Sequence, residues 1–419
     1  MALRKRFGFF ILGGLLASAL FSGCGGDSSS ETTTVPSTAT VFYAHSVAFK
    51  NSSSTTSQPL YSWGYNAFGQ LGNGTLSTTN EAAPVPGLGA VDGFAAGGDH
   101  TLAFKNLSSS VWAWGANNNG QVGLTVTHTQ IPTKIALDGP VTDVAAGGFH
   151  SLAVAGGQVR SWGYNGFGQL GDDSFVNKST PVAVLDTVGT TPINGIAGVA
   201  AGGTHSLART DDGRVYAWGN NASGQLGKDP ASPVPTVSNA FSRSADLVQL
   251  NSATLDGVVR IAAGGSTSYA LRNTGPAGAV GQVWFWGYNP VTRGINFIPT
   301  PIDIPVAANI TKISAGLDHL LMLADNGTVW AWGFNGFSQL GDTTTSNSAT
   351  PVQVRTSTTA TDIMGSVIDI IAFGNHSMAR RSTDGLWYGW GDNSSGQLGN
   401  PIATNSVGYI SVPVRINGL

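Results

Sequence analysis

Along most of the chain, apolar and polar positions alternate in short bursts broken by glycine, asparagine or aspartate. In Val215-Tyr216-Ala217-Trp218 and Val329-Trp330-Ala331-Trp332, aromatic side chains take every second place and Val or Ala the others. A period of two sends successive side chains to opposite faces of a strand. The large residues can then pack between sheets while the small ones line a crowded axis. Further strands are expected at Pro181-Val182, Pro351-Val352 and Pro413-Val414. Between bursts stand Gly156-Gly157, Asp212-Gly213, Asn326-Gly327 and Asp384-Gly385, pairs that tolerate positive φ and close tight hairpins.

The bursts recur. WGYNAFGQLG (63–72) returns as WGYNGFGQLG (162–171) and WGFNGFSQLG (332–341), and less closely as WGANNNGQVG (114–123), WGNNASGQLG (218–227) and WGDNSSGQLG (390–399). WGYNPVTRGI (286–295) keeps Trp-Gly and loses the tail. The seven copies begin at Trp63, Trp114, Trp162, Trp218, Trp286, Trp332 and Trp390. A second block precedes them, as in AAGGDHTLAF from Ala95, AAGGFHSLAV from Ala145, AAGGTHSLAR from Ala200 and SAGLDHLLML from Ser314. Each unit offers about four short strands in roughly 50 residues, the size of a propeller blade.

This two-part motif resembles the RCC1 repeat family over residues 41–419. The resemblance implies an all-β, seven-bladed β-propeller with four short antiparallel strands per blade. Residues 41–49 enter the repeat partway, and the chain finishes at VPVRINGL, where the next Ala-Ala-Gly strand would follow. Closure by pairing of the N- and C-terminal strands is therefore expected, which would remove two exposed sheet edges.

Composition agrees with many turns and few helices. Charged residues make up 10% of the chain, against roughly 25% in ordinary globular proteins, and there are 58 glycines. The net charge is −3, and leaving out Arg4, Lys5 and Arg6 takes it to −6. No basic run is available to neutralise phosphates, so nucleic acid is not an expected partner. The single cysteine, Cys24, excludes internal disulfides, CxxCH haem attachment and cysteine-based metal clusters.

Arg4-Lys5-Arg6, the apolar run Phe7–Phe21 and the small residues before Cys24 have the layout of a secretory signal peptide over residues 1–23. Phe21-Ser22-Gly23-Cys24 resembles the bacterial lipobox, with Phe21 where leucine is usual. That resemblance implies lipidation of Cys24, and Gly25 after it leans towards the outer membrane. Residues 25–40 read as a flexible Ser/Thr-rich tether.

Six of seven histidines, His45, His100, His150, His205, His319 and His376, share one repeat position, and Thr267 stands there in the fifth unit. A repeat spreads such residues around a ring, so each His is read as capping its own turn on the backbone, not as a metal ligand. The tryptophans are read as core between blades and the Gln-Leu-Gly tails as turn plus packing. Gly-x-Ser-x-Gly, His-Glu-x-x-His, P-loop and calcium-loop motifs are all absent. No catalytic residue, metal or cofactor is therefore expected.

Binding candidates lie where the repeats vary. Tyr65, Phe68, Tyr164, Phe167, Tyr288, Phe334 and Phe337 follow Trp-Gly, and either project from one rim or pack on neighbouring loops. Asp99, Phe149 and Asp318, with Thr204 and Asn375, precede the repeat position of His and differ from blade to blade. The fifth unit deviates most, and Lys228–Gly257 before it is the longest insertion. RCC1-like propellers include a eukaryotic nucleotide-exchange factor and a secreted bacterial inhibitor of β-lactamase. Together these features lead to the expectation of a monomeric, lipid-anchored, extracytoplasmic module for a protein partner. The alternatives are a glycan ligand at the envelope or, less favoured, an enzyme with a site in the central channel.

Overall fold

A computed structural model describes residues 44–50, 58–228, 240–250, 253–273, 281–305, 309–359, 361–400 and 408–419. The expected signal peptide, Cys24, the tether and residues 229–239 and 251–252 of the insertion lie outside the described residues. Seven antiparallel blade sheets follow one another in chain order, and a two-stranded sheet, Gln249–Leu250 with Ala253–Thr254, lies between the fourth and fifth. Blade 1 holds His45–Phe49, Gln58–Gly64 and Thr79–Pro84, with the two-residue strand Ala90–Val91 on the start of the second of these. Blades 2 to 7 each have four consecutive strands, within Gly93–Ala136, Val141–Ala183, Ile196–Leu247, Val258–Pro301, Ile310–Gln353 and Val367–Arg415. The Gly156-Gly157 pair closes its hairpin with φ of 58° and 76°, the geometry two-residue connections need to match strand twist.

There is no common core. Seven separate apolar clusters fill the seven seams between adjacent blades. Ala113, Ala217 and Ala331 of the Trp-Gly strands are buried within these seams. The axis is lined instead by the first strands of blades 2 to 7, through Ala96, Ala146, Ala201, Ala263, Ala315 and Ala372. That placement corrects the expectation that small residues of the aromatic strand face the axis.

The Gly-Gly turns join neighbouring blades at the centre. Gly98 N–H donates to the Gly147 carbonyl at 3.1 Å, Gly148 to Gly202 at 3.2 Å, Gly265 to Leu317 at 2.7 Å and Leu317 to Gly374 at 2.7 Å. Glycine is required here by crowding: a Cβ on Gly97 would lie 2.5 Å from His100 Cε1 and 2.6 Å from the Gly147 oxygen.

Outside this girdle, each seam carries a polar relay. His100 Nε2 lies 2.9 Å from Ser151 Oγ in the next blade. That hydroxyl donates its own proton to the Gln121 carbonyl at 2.7 Å, and Trp162 Nε1–H donates to the same oxygen at 2.9 Å. The hydroxyl must therefore accept from the histidine, so Nε2 carries the proton and Nδ1 is bare. The same relay joins His45 to Thr101, His150 to Ser206, His205 to Ser268, His319 to Ser377 and His376 to Ser46. The histidines are structural, as expected, but they act across seams instead of capping their own turns. The imidazole projects past the tight turn and reaches the neighbouring strand.

Only the seam between blades 5 and 6 lacks the relay. Thr267 replaces His and turns to the Tyr288 carbonyl at 2.7 Å, while Leu320 replaces Ser. The missing tail leaves no Gln carbonyl, so Trp332 Nε1 donates to Ala349 of its own blade at 3.0 Å. Tyr269, Phe285, Trp330 and Trp332 fill the space.

The chain ends do not pair with each other among the described residues. His45–Phe49 pairs with Gln58–Gly64, and Tyr409–Arg415 pairs with Trp387–Asp392. Blade 7 already draws its four strands from one continuous stretch and leaves no vacancy for an N-terminal strand. Closure runs instead through side chains: Trp63 Nε1 donates to the Gln397 carbonyl and Trp387 Nε1 to the Phe49 carbonyl, both at 2.8 Å. Ala48, Trp63, Met378 and Ile416 pack around these bonds.

Burial holds the relay histidines far below their usual pKa, at about 4 for His45 and about 3 for the other five. A neutral group that gains a proton on unfolding loses stability as pH falls below its unfolded value. Each contributes a slope of roughly 1.4 kcal/mol per pH unit between about 6.5 and its folded pKa. Asp143 and Asp318, pushed up to about 6 by burial, bind protons in the folded state over part of this range and offset some of the slope. Urea unfolding should show stability falling by several kcal/mol between about pH 6.5 and 4.5; a flat profile would contradict neutral, buried imidazoles.

Candidate functional site: the loop face

Register places the variable positions together. His150 stands opposite Gly163, and the same pairing joins His45 to Gly64, His100 to Gly115, His205 to Gly219, Thr267 to Gly287, His319 to Gly333 and His376 to Gly391. The Gly-Gly turns, the residues before His and the loops after Trp-Gly thus share one end of every blade. The central cavity, about 50 Å³, is lined by alanine, glycine, Leu317 and Phe373, none of them ionisable. It has room for about one or two waters and not for a substrate.

The loop aromatics divide between the two expected roles. Phe149, Tyr164 and Phe167 form an edge-to-face chain with ring centroids 6.4 and 6.2 Å apart, and Phe334 meets Phe337 at 6.3 Å. Phe167 and Phe337 keep 36% and 37% of their surface exposed. Tyr65, Phe68, Tyr164, Tyr288 and Phe334 are half-buried.

The Phe167 loop rests on blade 4: a Cβ on Gly168 would lie 2.8 Å from the Ser242 oxygen. Beside it, Phe175 meets Phe241 edge-on at 5.0 Å, and the Arg243 guanidinium lies 5.5 Å from the Phe175 ring centre. Arg243 is also paired with Asp173 at 3.3 Å. Phe175 is 41% exposed and Val176 63%. Blades 3 and 4 therefore present one aromatic patch with a fixed cation. Sequence reasoning missed Phe175, Val176 and Phe241 because they lie beyond the repeated decamer; the available signal was Phe-Val inside the polar run DDSFVNKST.

The residues before His have local duties. Asp99 is buried and accepts from the Gln70 amide at 3.3 Å. Asn375 accepts from the Gln339 amide at 3.5 Å, and Thr204 from Asn220 at 3.1 Å. The Tyr65 hydroxyl is held above its usual pKa by burial and then by Asp99. Asp318 is half-buried with no such amide, because the loop after Trp286-Gly287 in blade 5 carries no glutamine. Asp143, the other carboxyl lifted by burial, sits at the opposite end of its strand and accepts from Val199 N–H at 2.9 Å. The two elevated carboxyls do not converge. Among the described residues, no His/Cys/Asp/Glu group could hold a metal ion.

A second missed element is the hydroxyl after His. Ser46, Thr101, Ser151, Ser206, Ser268 and Ser377 all occupy it, so its recurrence was available in the sequence.

Comparison with known proteins follows this architecture. The RCC1-like domain profile matches residues 59–293, and RCC1 repeat profiles match 310–339 and 326–380. The chain is 29% identical to the mitochondrial RCC1 domain-containing protein RUG3 of Arabidopsis thaliana, over 86% of this chain and 82% of that one. It is 28% identical to the ultraviolet-B receptor UVR8 of the same plant, over 81% and 74%. Among solved structures, Prp20p of Saccharomyces cerevisiae superposes with a TM-score of 0.71 at 22% identity, covering 88% of each chain.

The patch residues should be dispensable for folding. Phe167→Ala and Phe175→Ala should each cost less than about 1 kcal/mol in urea unfolding, whereas Trp162→Ala, fully buried in a seam, should cost roughly 3–5 kcal/mol.

Proposed function

Since the chain belongs to the RCC1-like propeller family, we propose that it binds a partner protein through its loop face, at the aromatic patch of blades 3 and 4. The observation that carries this reading is the side-by-side exposure of Phe167, Phe175 and Val176 around the Arg243–Asp173 pair. Aromatic and arginine side chains of this kind give protein interfaces most of their binding energy. The family supports a binding role: the solved structure of Prp20p is described together with binding to Gsp1p and histones. A glycan fits this patch less well, because sugar stacking needs an open ring face and Phe175 already carries Arg243.

The propeller acts as a monomer outside the cytoplasm, held at the bacterial envelope by lipid on Cys24, with Gly25 after it favouring the outer membrane. The support is the basic start, the apolar run and the lone cysteine at their boundary. Binding, with no chemical step, is the activity assigned.

Capture from envelope and culture fractions tests the face. Residues 28–419 should retain a protein that Phe167→Ala/Phe175→Ala, still folded, does not. Equal capture by both would place the interface elsewhere, and retention on glycan arrays instead would replace the reading. The anchor has its own test. Metabolic labelling with an alkyne fatty acid should mark the full chain and not Cys24→Ser, and an unlabelled parent would remove the lipid from the proposal.

A further inference from the structure

The seam between blades 5 and 6 lacks more than its relay. From Trp-Gly to the outer strand, blade 5 runs nine positions (286 to 295), against sixteen in blades 1, 3 and 6 (63 to 79, 162 to 178, 332 to 348). In the long loops the glycine of Gly-Gln lies on the next blade's outer strand, as Gly69 does on Gln130 and Gly120 on Ser179. The blade 5 loop turns back on itself, with Asn289 N–H donating to Gly294 at 2.9 Å and Arg293 N–H to Asn289 at 2.8 Å. Pro290 takes only the steric place of the glutamine backbone. A Cβ on Gly333 would meet its ring at 3.3 Å, much as one on Gly163 would meet Gln121 Cα at 3.1 Å.

What is lost is the amide that would lie over the carboxylate. Asp99 and Asn375 each accept from the preceding blade's glutamine, and Asp318 stands at the same position with none. Among the described residues no salt bridge reaches it either, and burial raises its pKa to about 6. Close enough to feel its charge, the Tyr269 hydroxyl is completely buried beside the Thr267 side chain. Phe334, whose N–H donates to the Asp318 carbonyl at 2.8 Å, stacks edge-on with the exposed Phe337 beside it. A half-buried acceptor without a donor, beside two aromatic rings and under a shortened loop, is complementary to a cation with an apolar stem.

We propose that this seam receives a cationic side chain, a lysine or arginine, from the protein partner, its N–H groups replacing the missing glutamine amide on Asp318. The inference rests on the loop face being a protein-binding surface, and it adds a second, charge-specific contact on blades 5 and 6. Asp318 supplies the ion pair, Phe334 and Phe337 hold the stem, and the position sets which residue the partner must present.

Saturation-transfer NMR with n-butylguanidinium and n-butylammonium tests the seam without any partner. Both cations should show saturable binding to the parent at neutral pH, and neutral n-pentanol should not. Asp318→Asn should lower the signal at least tenfold. It should also fold normally, because asparagine already occupies this position in blade 7 as Asn375. Asp99→Asn, whose carboxylate has its glutamine, should leave binding unchanged. No binding by the parent, or equal binding by Asp318→Asn, would overturn the proposal. Cation binding alongside failed protein capture would count against the partner reading alone, whereas capture without cation binding would count against the seam alone.

Discussion

A hydroxyl shared between two blades holds this propeller in register. In six seams, Ser or Thr takes a proton from the preceding blade's histidine and gives its own to that blade's glutamine carbonyl, which also receives a tryptophan N–H. Buried polar groups cost free energy unless satisfied, so each member is tolerated only because the others are in place. Apolar packing alone would let blades slide, since it is non-directional. The relay adds direction at each seam and repeats it around the ring.

This explains why the repeat spans two parts of the unit. His-Ser and Trp-Gly lie on adjacent strands of one blade, and Gln lies on the loop that reaches the next. Changing any one of them leaves an unsatisfied group in a neighbouring blade. The seam between blades 5 and 6 changes all at once. Thr267, Leu320 and Pro290 replace His, Ser and Gln, and Tyr269, Phe285 and Trp332 fill the volume. A coordinated exchange of a polar relay for an apolar wedge keeps the seam closed, yet it leaves the Asp318 carboxylate without a glutamine amide. The central girdle continues through it by Gly265 and Leu317.

With scaffolding confined to seams and girdle, the loop tips are free to vary. Phe167 and Phe175 are exposed on loops whose bases are fixed by Asn165, which donates to Asp172 at 2.9 Å and to the Ser174 carbonyl at 3.0 Å. A rigid base beneath exposed aromatic tips limits the entropy lost on binding. Function in this molecule therefore belongs to departures from the repeat, and stability to the repeat itself.

The sequence alone determined the blade number, the strand order and the structural nature of the histidines. Each follows from short-range periodicity and from recurrence at a fixed spacing, properties that need no knowledge of what touches what. Tertiary structure decided which blade each repeated residue serves. The histidines bond forward to the next blade, and among the described residues the chain ends close through Trp63 and Trp387 instead of through paired strands. It also decided which variable residues are surface: Asp99 is buried under Gln70, while Phe175 and Phe241 meet across a seam from positions 66 residues apart. Such facts depend on distances between segments remote in sequence, which a local pattern does not encode.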